Sequence, residues 1–428
     1  MPPMPLPLAD LGPDTPTPPA ATPSRRAAFA FWLKLGFISF GGPAGQIAIM
    51  HDELVERRRW ISEPRFLHAL NFCMALPGPE AQQLASYVGY SLYGVRGAIT
   101  SGGLFVLPSF VLLCAMSAIY VEYGDVAVVD GAVQGLGAAV VALVLAAVIR
   151  VGSRVIHTAA AVGMAALAFA AILLGAPFPV VIAAAALAGY VAGRSGASLL
   201  GPPAGHAGED TSAPEPFARK RFVASLAIWL VPVGVLVAVG GVVGDLAGFF
   251  TAAALVTFGG AYAVLPFVAN AAVNHYGWLT SKDMVAGLAL GESTPGPLIM
   301  VNTFVGFLAG YHVEGGLGWG LLGAVIATLA TFVPSFVFII AGASLIDRVR
   351  AAGAFGSALH GVTIAVVGVI AALAVFVARH ALVVDGRLDW VLTPLAVAAF
   401  VAVWRFRVGV VATVAGCALV GIANTLVQ

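Results

Sequence analysis

ALPGPEAQQLASYVGY, residues 75–90, places a Pro-Gly-Pro motif, a carboxylate and two amides in the middle of apolar sequence. Proline has no N–H to continue a helix, and glycine lets the backbone leave helical geometry. Together they free backbone polar groups, which at membrane depth must be satisfied by protein, water or a ligand. This stretch therefore predicts a discontinuous membrane helix with a polar site at its break.

The composition of the whole chain is that of a membrane protein. Of its 428 residues, 60% are hydrophobic and 10% are charged, and the mean hydropathy is +0.98. Soluble domains carry about 25% charged residues. The net charge of +1 does not indicate a nucleic-acid partner, and the three cysteines form no CxxC pair that would indicate a metal site. The chain is therefore predicted to be an all-α polytopic integral membrane protein.

A membrane helix needs about 20 apolar residues, and this length identifies thirteen candidate segments. They are 27–49, 65–93, 97–121, 126–149, 155–174, 177–193, 222–244, 249–272, 283–311, 316–346, 355–378, 388–404 and 407–427. Residues 1–24 form a proline-rich tail that is predicted to be disordered, and residues 195–221 form a predicted cytoplasmic linker. Because Arg25 and Arg26 precede the first segment, the N-terminus is predicted to stay in the cytoplasm.

The chain contains an internal repeat. Three pairs of residues are 218 positions apart, namely Phe40 and Phe258, Trp60 and Trp278, and Pro77 and Pro295. VLPSF (106–110) also matches FVPSF (332–336) at an offset of 226. The halves 25–194 and 245–428 would each hold six segments, and the segment at 222–244 has no counterpart. One additional crossing inverts the second half relative to the first, which is an architecture of secondary transporters.

The distribution of Lys and Arg favours this inversion and refines it. If all thirteen segments cross, the loops carry 14 of these residues inside and 6 outside. If the first two segments of each half are instead re-entrant, the count becomes 17 inside and 3 outside, because the loop with Arg57, Arg58, Arg59 and Arg65 moves to the cytoplasm. The re-entrant version obeys the positive-inside rule better than fully spanning segments do. The arginine run is interpreted as a topology signal, and it could also concentrate anions at a cytoplasmic mouth.

Breaks occur at matching positions of the two halves, and each offers a site for an anion. They are Phe40-Gly41-Gly42-Pro43, Pro77-Gly78-Pro79, Phe258-Gly259-Gly260 and Pro295-Gly296-Pro297. A helix that restarts after a break presents unpaired N–H groups and a partial positive charge. Neutral polar groups lie nearby, namely Gln46, Asn71, Gln82, Gln83, Ser293, Thr294 and Asn302. These neutral groups predict that an oxyanion could bind without a full countercharge. The structural alternative is that Pro and Gly at the breaks only kink the helices.

Two carboxylates lie at the Pro-Gly-Pro motifs. Glu80 directly follows the first motif, and Glu292 precedes the second by three residues. Carboxylates within a membrane are costly and usually functional. An ionised carboxylate beside an anion site repels the anion and a protonated one does not, so both are candidates for proton coupling. The alternative for Glu80 is a helix N-terminal residue held by backbone N–H groups.

Residues 40–90 and 258–307 resemble the two signature regions of the chromate ion transporter family in its long, two-domain form. The first reads FGGPAGQIAIMHDELVERRRWISEPRFLHALNFCMALPGPEAQQLASYVGY, and the second reads FGGAYAVLPFVANAAVNHYGWLTSKDMVAGLALGESTPGPLIMVNTFVGF. TFVPSFVFIIAG (331–342) and AVVGVI (365–370) continue the similarity. The resemblance covers most of the chain, but neither the tail nor the linker.

The resemblance implies a multi-pass transporter, not an enzyme, of the bacterial inner membrane. It would need no cofactor, export chromate by use of the proton motive force and confer chromate resistance. The resemblance implies substrate-binding residues in the two signatures, namely Phe40, Gly41, Gly42, Pro43, Gln46, Asn71, Pro77, Gly78, Pro79, Gln82, Gln83, Gly259, Gly260, Thr294, Pro295, Gly296 and Pro297. The expected partners are chromate and the lipid bilayer, and a homodimer is a candidate assembly.

Three other functions remain open at this point. Chromate is a tetrahedral dianion shaped like sulfate, so the protein could carry sulfate or another oxyanion in either direction. An anion channel would use a similar site, but its flux would not concentrate the substrate. A membrane-bound redox enzyme would need a haem, flavin or metal, for which the sequence offers no ligand set.

Overall fold

The computed structural model describes residues 23–40, 42–194, 200–201, 219–341, 354–384 and 386–427, and these residues are almost entirely helical. Residues 1–22 of the predicted tail, most of the predicted linker and Gly41 of the first break lie outside the described residues.

The helices form one series before α8 and another after it. The first half contains α1 (Arg25–Ile38), α2 (Gly42–His51), α3 (Glu63–Met74), α4 (Glu80–Tyr123), α5 (Ala127–Val155), α6 (Ala159–Leu173) and α7 (Phe178–Arg194). The second half follows α8 (Arg219–Val239) and contains α9 (Gly241–Val256), α10 (Ala261–Asn270), α11 (Ser281–Ser293), α12 (Val301–Glu314), α13 (Leu317–Ala341), α14 (Ala354–Leu382), α15 (Leu392–Arg405) and α16 (Val410–Val427). A two-stranded ribbon, β1 (Val383–Val384) and β2 (Arg387–Leu388), joins α14 to α15. Helix boundaries therefore fall at the four predicted breaks.

Six of the described helices are long and apolar enough to cross a bilayer, and shorter apolar helices accompany them. Their outward faces are apolar as well. On α8, for example, Ile228 and Val231 are 72% and 61% exposed. Such continuous apolar surfaces are rare on soluble proteins. The protein is a multi-pass helical membrane protein, as predicted.

The helix α4 is a hairpin of two antiparallel limbs. Its backbone leaves helical geometry at Gly94, which has a φ of +63°. The Ser101 hydroxyl then donates to the Ala85 carbonyl at 2.8 Å, although a straight helix would separate residues this far apart in sequence by about 24 Å. The limb before Gly94 and the limb after it therefore lie side by side. In the second half, α12 and α13 repeat this hairpin around Gly315.

The segments with the FGG and PGP motifs in the first half also fold back on themselves. The ring centroids of His68 on α3 and Tyr87 on α4 are 6.5 Å apart. A continuous helix would place these residues about 28 Å apart, so α3 and the first limb of α4 form a hairpin. Phe31 on α1 likewise lies 5.1 Å from Trp60, which follows α2. Each motif therefore lies in the turn between the two helices of a hairpin, and we call such a turn a tip.

The second half repeats these two hairpins. Phe249 on α9 lies 6.1 Å from Trp278, and these residues follow Phe31 and Trp60 by 218 positions. Gly287 on α11 closely approaches the Phe304 ring on α12, because α11 and α12 are antiparallel. The tip of this second hairpin contains the second PGP motif.

The 218-residue offset is also visible in the backbone hydrogen bonds. α2 and α10 each continue into a π-helical turn, Asp52–Arg57 and Ala271–His275. Matching bonds close both turns: Arg58 N–H to Glu53 O and Tyr276 N–H to Ala271 O, and Ile61 N–H to Leu54 O and Leu279 N–H to Ala272 O. The two halves thus share local geometry even where their side chains differ.

Apolar packing holds the hairpins in place. One core gathers α1, α3 and the first limb of α4 around Trp32, Phe66 and Phe72. A larger core surrounds Phe250 and Phe304 in the second half and includes α5. Full burial of an aromatic side chain of this size stabilises a fold by roughly 2–3 kcal/mol. The tips lie where these two cores meet.

Candidate anion site at the hairpin tips

The four tips meet in two pairs, and each pair joins one half of the chain to the other. The N–H of Gly296 in the second PGP motif donates to the Ser39 carbonyl at 2.7 Å, and we call this contact pair A. The N–H of Gly78 in the first PGP motif donates to the Thr257 carbonyl at 2.8 Å, and we call this contact pair B. Donors and acceptors are both 218 residues apart, so one contact is made twice with the halves exchanged.

Both PGP glycines are required by backbone geometry and by space. Gly78 has a φ of +119° and Gly296 a φ of +113°, which non-glycine residues rarely adopt. A Cβ at Gly78 would lie 2.7 Å from the Ser335 hydroxyl, and one at Gly296 would lie 2.8 Å from the Ser109 Cβ. Each PGP motif therefore packs against the serine of the VLPSF or FVPSF motif in the other half.

The residues that accept these hydrogen bonds are held by their own hydroxyls. The Ser39 hydroxyl donates to the Leu35 carbonyl at 2.6 Å, and the Thr257 hydroxyl donates to the Ala253 carbonyl at 2.6 Å. Such bonds to the preceding turn satisfy carbonyls near a helix end. They fix the last turns of α1 and α9, from which the tip carbonyls project.

Two glutamines of the first half donate into the two pairs. In pair A, Gln46 Nε2 donates to the Gly296 carbonyl at 2.6 Å. In pair B, Gln83 Nε2 donates to the Pro77 carbonyl at 2.8 Å and lies 3.4 Å from the Ser335 hydroxyl. Both glutamines are fully buried, and their Oε1 atoms have no hydrogen-bond partner within the described part of the chain.

Helix N-termini supply the positive potential at the tips. α2 begins at Gly42, α4 at Glu80, α10 at Ala261 and the turn before α12 at Leu298. Their free N–H groups attract anions. The sequence that forms the tips contains no Lys, Arg or His in 39–46, 75–83, 256–264 or 292–302. Within these four stretches, backbone dipoles and neutral side chains are therefore the groups that could hold an anion.

The two predicted carboxylates lie at the tips in different surroundings. Glu292 is 9% exposed and accepts a hydrogen bond from the Tyr262 hydroxyl at 2.6 Å. The charge of Arg150 on α5 also acts on Glu292. Glu80 is half-buried at the start of α4, and no described residue donates a hydrogen bond to it. The backbone contacts that the structural alternative for Glu80 requires are absent among the described residues.

The structure places the other predicted site residues in two groups. Described motif residues form the tips themselves, namely Phe40, Gly42, Pro43, Pro77, Gly78, Pro79, Gly259, Gly260, Pro295, Gly296 and Pro297. Neighbouring polar residues bond within their own half: Gln82 to Ser86 at 3.0 Å, Ser293 to Leu290 at 2.9 Å, Thr294 to Gly291 at 3.2 Å and Asn302 to Thr331 at 3.0 Å. Asn71 is half-buried on the last turn of α3.

Sequence reasoning missed five polar residues that contact the tips: Ser39, Ser109, Thr257, Tyr262 and Ser335. The two serines in VLPSF and FVPSF carried a signal, because they recur at the offset of 226. Tyr262 carried none, because its counterpart 218 positions earlier is Ala44.

The arginine run lies at the end of the α2 arm opposite its tip, and neighbouring carboxylates largely neutralise it. Arg57 pairs with Asp52 at 3.1 Å, and Arg58 pairs with Glu53 at 3.0 Å. The Arg58 guanidinium also stacks on the rings of Phe31 and Trp60. These contacts fit a structural role for Arg57 and Arg58 better than the concentration of anions.

Repeated halves, discontinuous helices and helix N-termini at the tips are features of membrane transporters. The family model described as "Chromate transporter" matches residues 26–190 and 244–422, and the chain belongs to this family. It is 32% identical to the chromate transport protein of Pseudomonas aeruginosa over 404 residues, which is 92% of this chain and 91% of that protein.

Two further relatives are similar over most of their length. The chain is 29% identical to a probable chromate transport protein of Synechococcus elongatus, over 82% of this chain and 84% of the relative. It is 28% identical to the chromate transport protein of Cupriavidus metallidurans, over 85% of each chain. No solved structure matches the chain.

Proposed function

We propose that this protein is a secondary transporter that exports chromate across the bacterial inner membrane by alternating access. The observation that carries the proposal is the reciprocal pairing of the tips, Gly296 with Ser39 and Gly78 with Thr257. Broken helices that meet end to end between two repeats are where such transporters bind their substrates. Movement of one half against the other would open pairs A and B to alternate sides.

The chemistry of the tips supports a small oxyanion as the substrate. Four helix N-termini and buried neutral side chains can bind oxygen atoms without a cation. Chromate itself is suggested by the relatives that are named for it. Sulfate has the same shape and remains the alternative substrate, which competition distinguishes.

The proposed topology is an inverted repeat with re-entrant hairpins and a cytoplasmic N-terminus. The fold-back of α3 on α4, with the rings of His68 and Tyr87 6.5 Å apart, supports re-entrant rather than spanning segments. The Lys and Arg distribution supports the same topology. Cysteine labelling tests it: Ser62→Cys should react only with reagents that reach the cytoplasm.

Glu80 and Glu292 are the candidates for proton coupling in this proposal. Glu292 has a hydrogen-bond donor in Tyr262, whereas Glu80 has none in the described residues, so the two carboxylates could change protonation at different steps. Glu80→Gln and Glu292→Gln should each weaken the dependence of flux on an imposed pH gradient. An unchanged dependence in one variant removes that residue as a coupling group.

Transport of radiolabelled chromate into proteoliposomes tests the function as a whole. Flux should concentrate chromate in response to imposed pH and voltage gradients, and an excess of sulfate measures selectivity. Gly296→Ala should abolish the flux, whereas Gly163→Ala on α6, where a Cβ meets no atom within 4 Å, should not. Flux that never exceeds equilibrium identifies a channel, and a changed chromium oxidation state identifies a redox enzyme. Export and resistance are tested in cells, which should accumulate less chromate when they express the protein.

A further inference from the structure

A cavity of about 810 Å³ lies apart from the tips, at the opposite end of α10. Its walls come from the turn between α6 and α7, from α9, from α10 with its π-helical turn, and from α14. The volume falls within the roughly 300–1,000 Å³ of small-molecule sites. None of the four break motifs lines this cavity, so the anion site at the tips does not account for it.

One wall of the cavity is aromatic and aliphatic. The Phe267 ring on α10 stacks on Phe178 of α7 at a centroid distance of 5.4 Å, and Phe249 on α9 lies 5.0 Å from Phe267. Leu373 and Phe376 on α14 also line the cavity. These side chains offer no hydrogen bond, so this apolar wall suits a hydrocarbon chain.

Exposed cationic and amide side chains form the mouth of the cavity. Arg379 and His380 lie on the last turn of α14, and His275 lies on the π-helical turn after α10. Asn270 and Asn274 join them, and Asn274 Nδ2 donates to Asn270 Oδ1 at 2.8 Å. No Asp or Glu is among the described residues that line the cavity. The mouth is therefore complementary in charge to an anionic group.

The cationic groups at the mouth are available to a ligand. Arg379 is exposed and forms no ion pair with a described residue, whereas Lys282, on the same face in the proposed topology, pairs with Asp130 at 2.6 Å. His380 Nδ1 donates to the Phe376 carbonyl at 2.8 Å, which leaves Nε2 for a ligand. In that topology Arg379 is one of the 3 Lys and Arg residues outside, against the usual charge bias.

The cation and the apolar wall are spaced like the headgroup and the chain of a lipid. Arg379 follows Leu373 by six residues on α14, so the two residues are about 9 Å apart along the helix axis. Leu173, which lines the cavity, is 50% exposed on an apolar helix, so the cavity adjoins surface that faces lipid. Tyr276 at the mouth stacks on Trp278 at 4.1 Å, and such aromatic residues are typical of the membrane–water interface.

We propose that this cavity binds an anionic phospholipid, with its phosphate at Arg379 and His380 and an acyl chain along Phe267 and Phe376. A soluble anion would use the mouth but leave the apolar wall without a partner. A zwitterionic lipid would cover the wall, but its own cation would oppose Arg379. An anionic lipid satisfies both parts, because its chain is buried and its phosphate is paired. Lipid binding and chromate flux are measured separately, so either can fail without the other.

Native mass spectrometry of the purified full-length protein tests the proposal, with phosphatidylglycerol and phosphatidylcholine of identical chains as probes. Phosphatidylglycerol should bind at least about fivefold more tightly, which is the contribution of one arginine near a membrane surface. Arg379→Gln should remove this preference. Arg387→Gln is the matched control, because Arg387 is an exposed cation on β2, close after α14, and does not line the cavity. Equal binding of the two lipids, or equal effects of the two variants, overturns the proposal.

A second variant tests the apolar part of the cavity without removing a charge. Val375 lines the cavity one helical turn before Arg379, so Val375→Trp should fill the space for the acyl chain. Phosphatidylglycerol binding should fall at least about tenfold. Leu174→Trp is the control, because Leu174 is 87% exposed and lies outside the cavity lining. Undiminished binding to a folded Val375→Trp protein overturns the proposal, and size-exclusion profiles in detergent establish folding.

Competition with a soluble anion separates a lipid site from a site for free phosphate. Inorganic phosphate should displace phosphatidylglycerol no better than chloride does at the same ionic strength, because both salts only screen the charge of Arg379. Displacement by phosphate alone would assign the mouth to a free anion and would overturn the proposal.

Discussion

The two halves of the molecule build the same tips from different side chains. Four polar residues of the first half correspond to apolar residues 218 positions later. The pairs are Gln46 and Val264, Glu80 and Leu298, Gln82 and Met300, and Gln83 and Val301. Two positions show the reverse, Ala44 and Tyr262, and Met74 and Glu292. The shared part is the backbone, with its positive-φ glycines and crossed hydrogen bonds. The two halves therefore share their backbone architecture and differ in the chemistry of the side chains at the tips.

Substitution of the two PGP glycines tests whether pairs A and B are equivalent. These substitutions should have the largest effects on flux and stability. Gly78→Ala and Gly296→Ala each force an unfavourable φ and a contact shorter than 3 Å, at a combined cost of about 2–6 kcal/mol. Both variants should lose chromate flux and unfold at lower temperature. Gly163→Ala is the control. If only one glycine tolerates alanine, pairs A and B are not equivalent.

Tyr262→Phe tests the asymmetry between the halves. It removes the only described hydrogen bond to Glu292, and bonds to a carboxylate contribute about 1.5–3 kcal/mol. We expect flux to fall roughly tenfold, measured as the initial rate of chromate uptake.

Tyr311→Phe is the matched control for that variant, because it removes a bond to the carboxylate of Glu122 at an exposed position. It should leave flux unchanged. Equal effects of the two variants would show that the Tyr262–Glu292 bond has no special part in transport.

Ser39→Ala and Thr257→Val sharpen the comparison of the two accepting residues. Each variant removes one hydroxyl that bonds to the preceding helical turn at 2.6 Å. A hydrogen bond of this kind contributes about 1 kcal/mol, so the two variants should lower the unfolding free energy by similar amounts. Denaturation in detergent measures both values. A clear difference would mean that the two hydroxyls contribute unequally to the stability of the protein.

Glu53→Gln should have the smallest effect on stability. It tests whether the charged π-helical turn of the first half is more stable than its uncharged counterpart in the second half. The hydrogen bond from Arg58 holds the pKa of Glu53 below its ordinary value of 4.5, and its counterpart is the uncharged Ala271. A lowered pKa means that the ionised form is favoured in the folded protein. The stabilisation is therefore present above pH 4.5 and is lost as the pH falls through the lowered pKa.

The pair between Glu53 and its arginines is partly exposed, so the loss should be only a few tenths of a kcal/mol. Unfolding at neutral pH and at a pH below the carboxyl titration measures it. A destabilisation that is equal at both values would show that the charge of Glu53 is not its cause.

The sequence was sufficient to predict the breaks because their cause is local. Proline and glycine disrupt a helix wherever they stand, so Pro77-Gly78-Pro79 and Pro295-Gly296-Pro297 could be assigned to tips without a structure. The repeat followed from a constant offset. The turn within α4 at Gly94 also falls between two candidate segments, 65–93 and 97–121.

The partners of the tips could not be predicted, since they come from the other half. Nothing near Gly78 indicates that Thr257 will accept its hydrogen bond, and nothing near Gly296 indicates Ser109. Residues that are distant in sequence meet only through packing of whole helices. Tyr262 is the clearest case, because the matching position in the first half is Ala44.

The crossed hydrogen bonds have a consequence for how the protein is assembled. Each PGP motif finds the acceptor for its glycine N–H in the opposite half, so neither half can satisfy its own tips. A fragment that ends before α9 and a fragment that begins there should both be inactive when produced separately. Produced together in one cell, they should complement each other and restore chromate efflux. The two halves of this single chain would then function only when both are present.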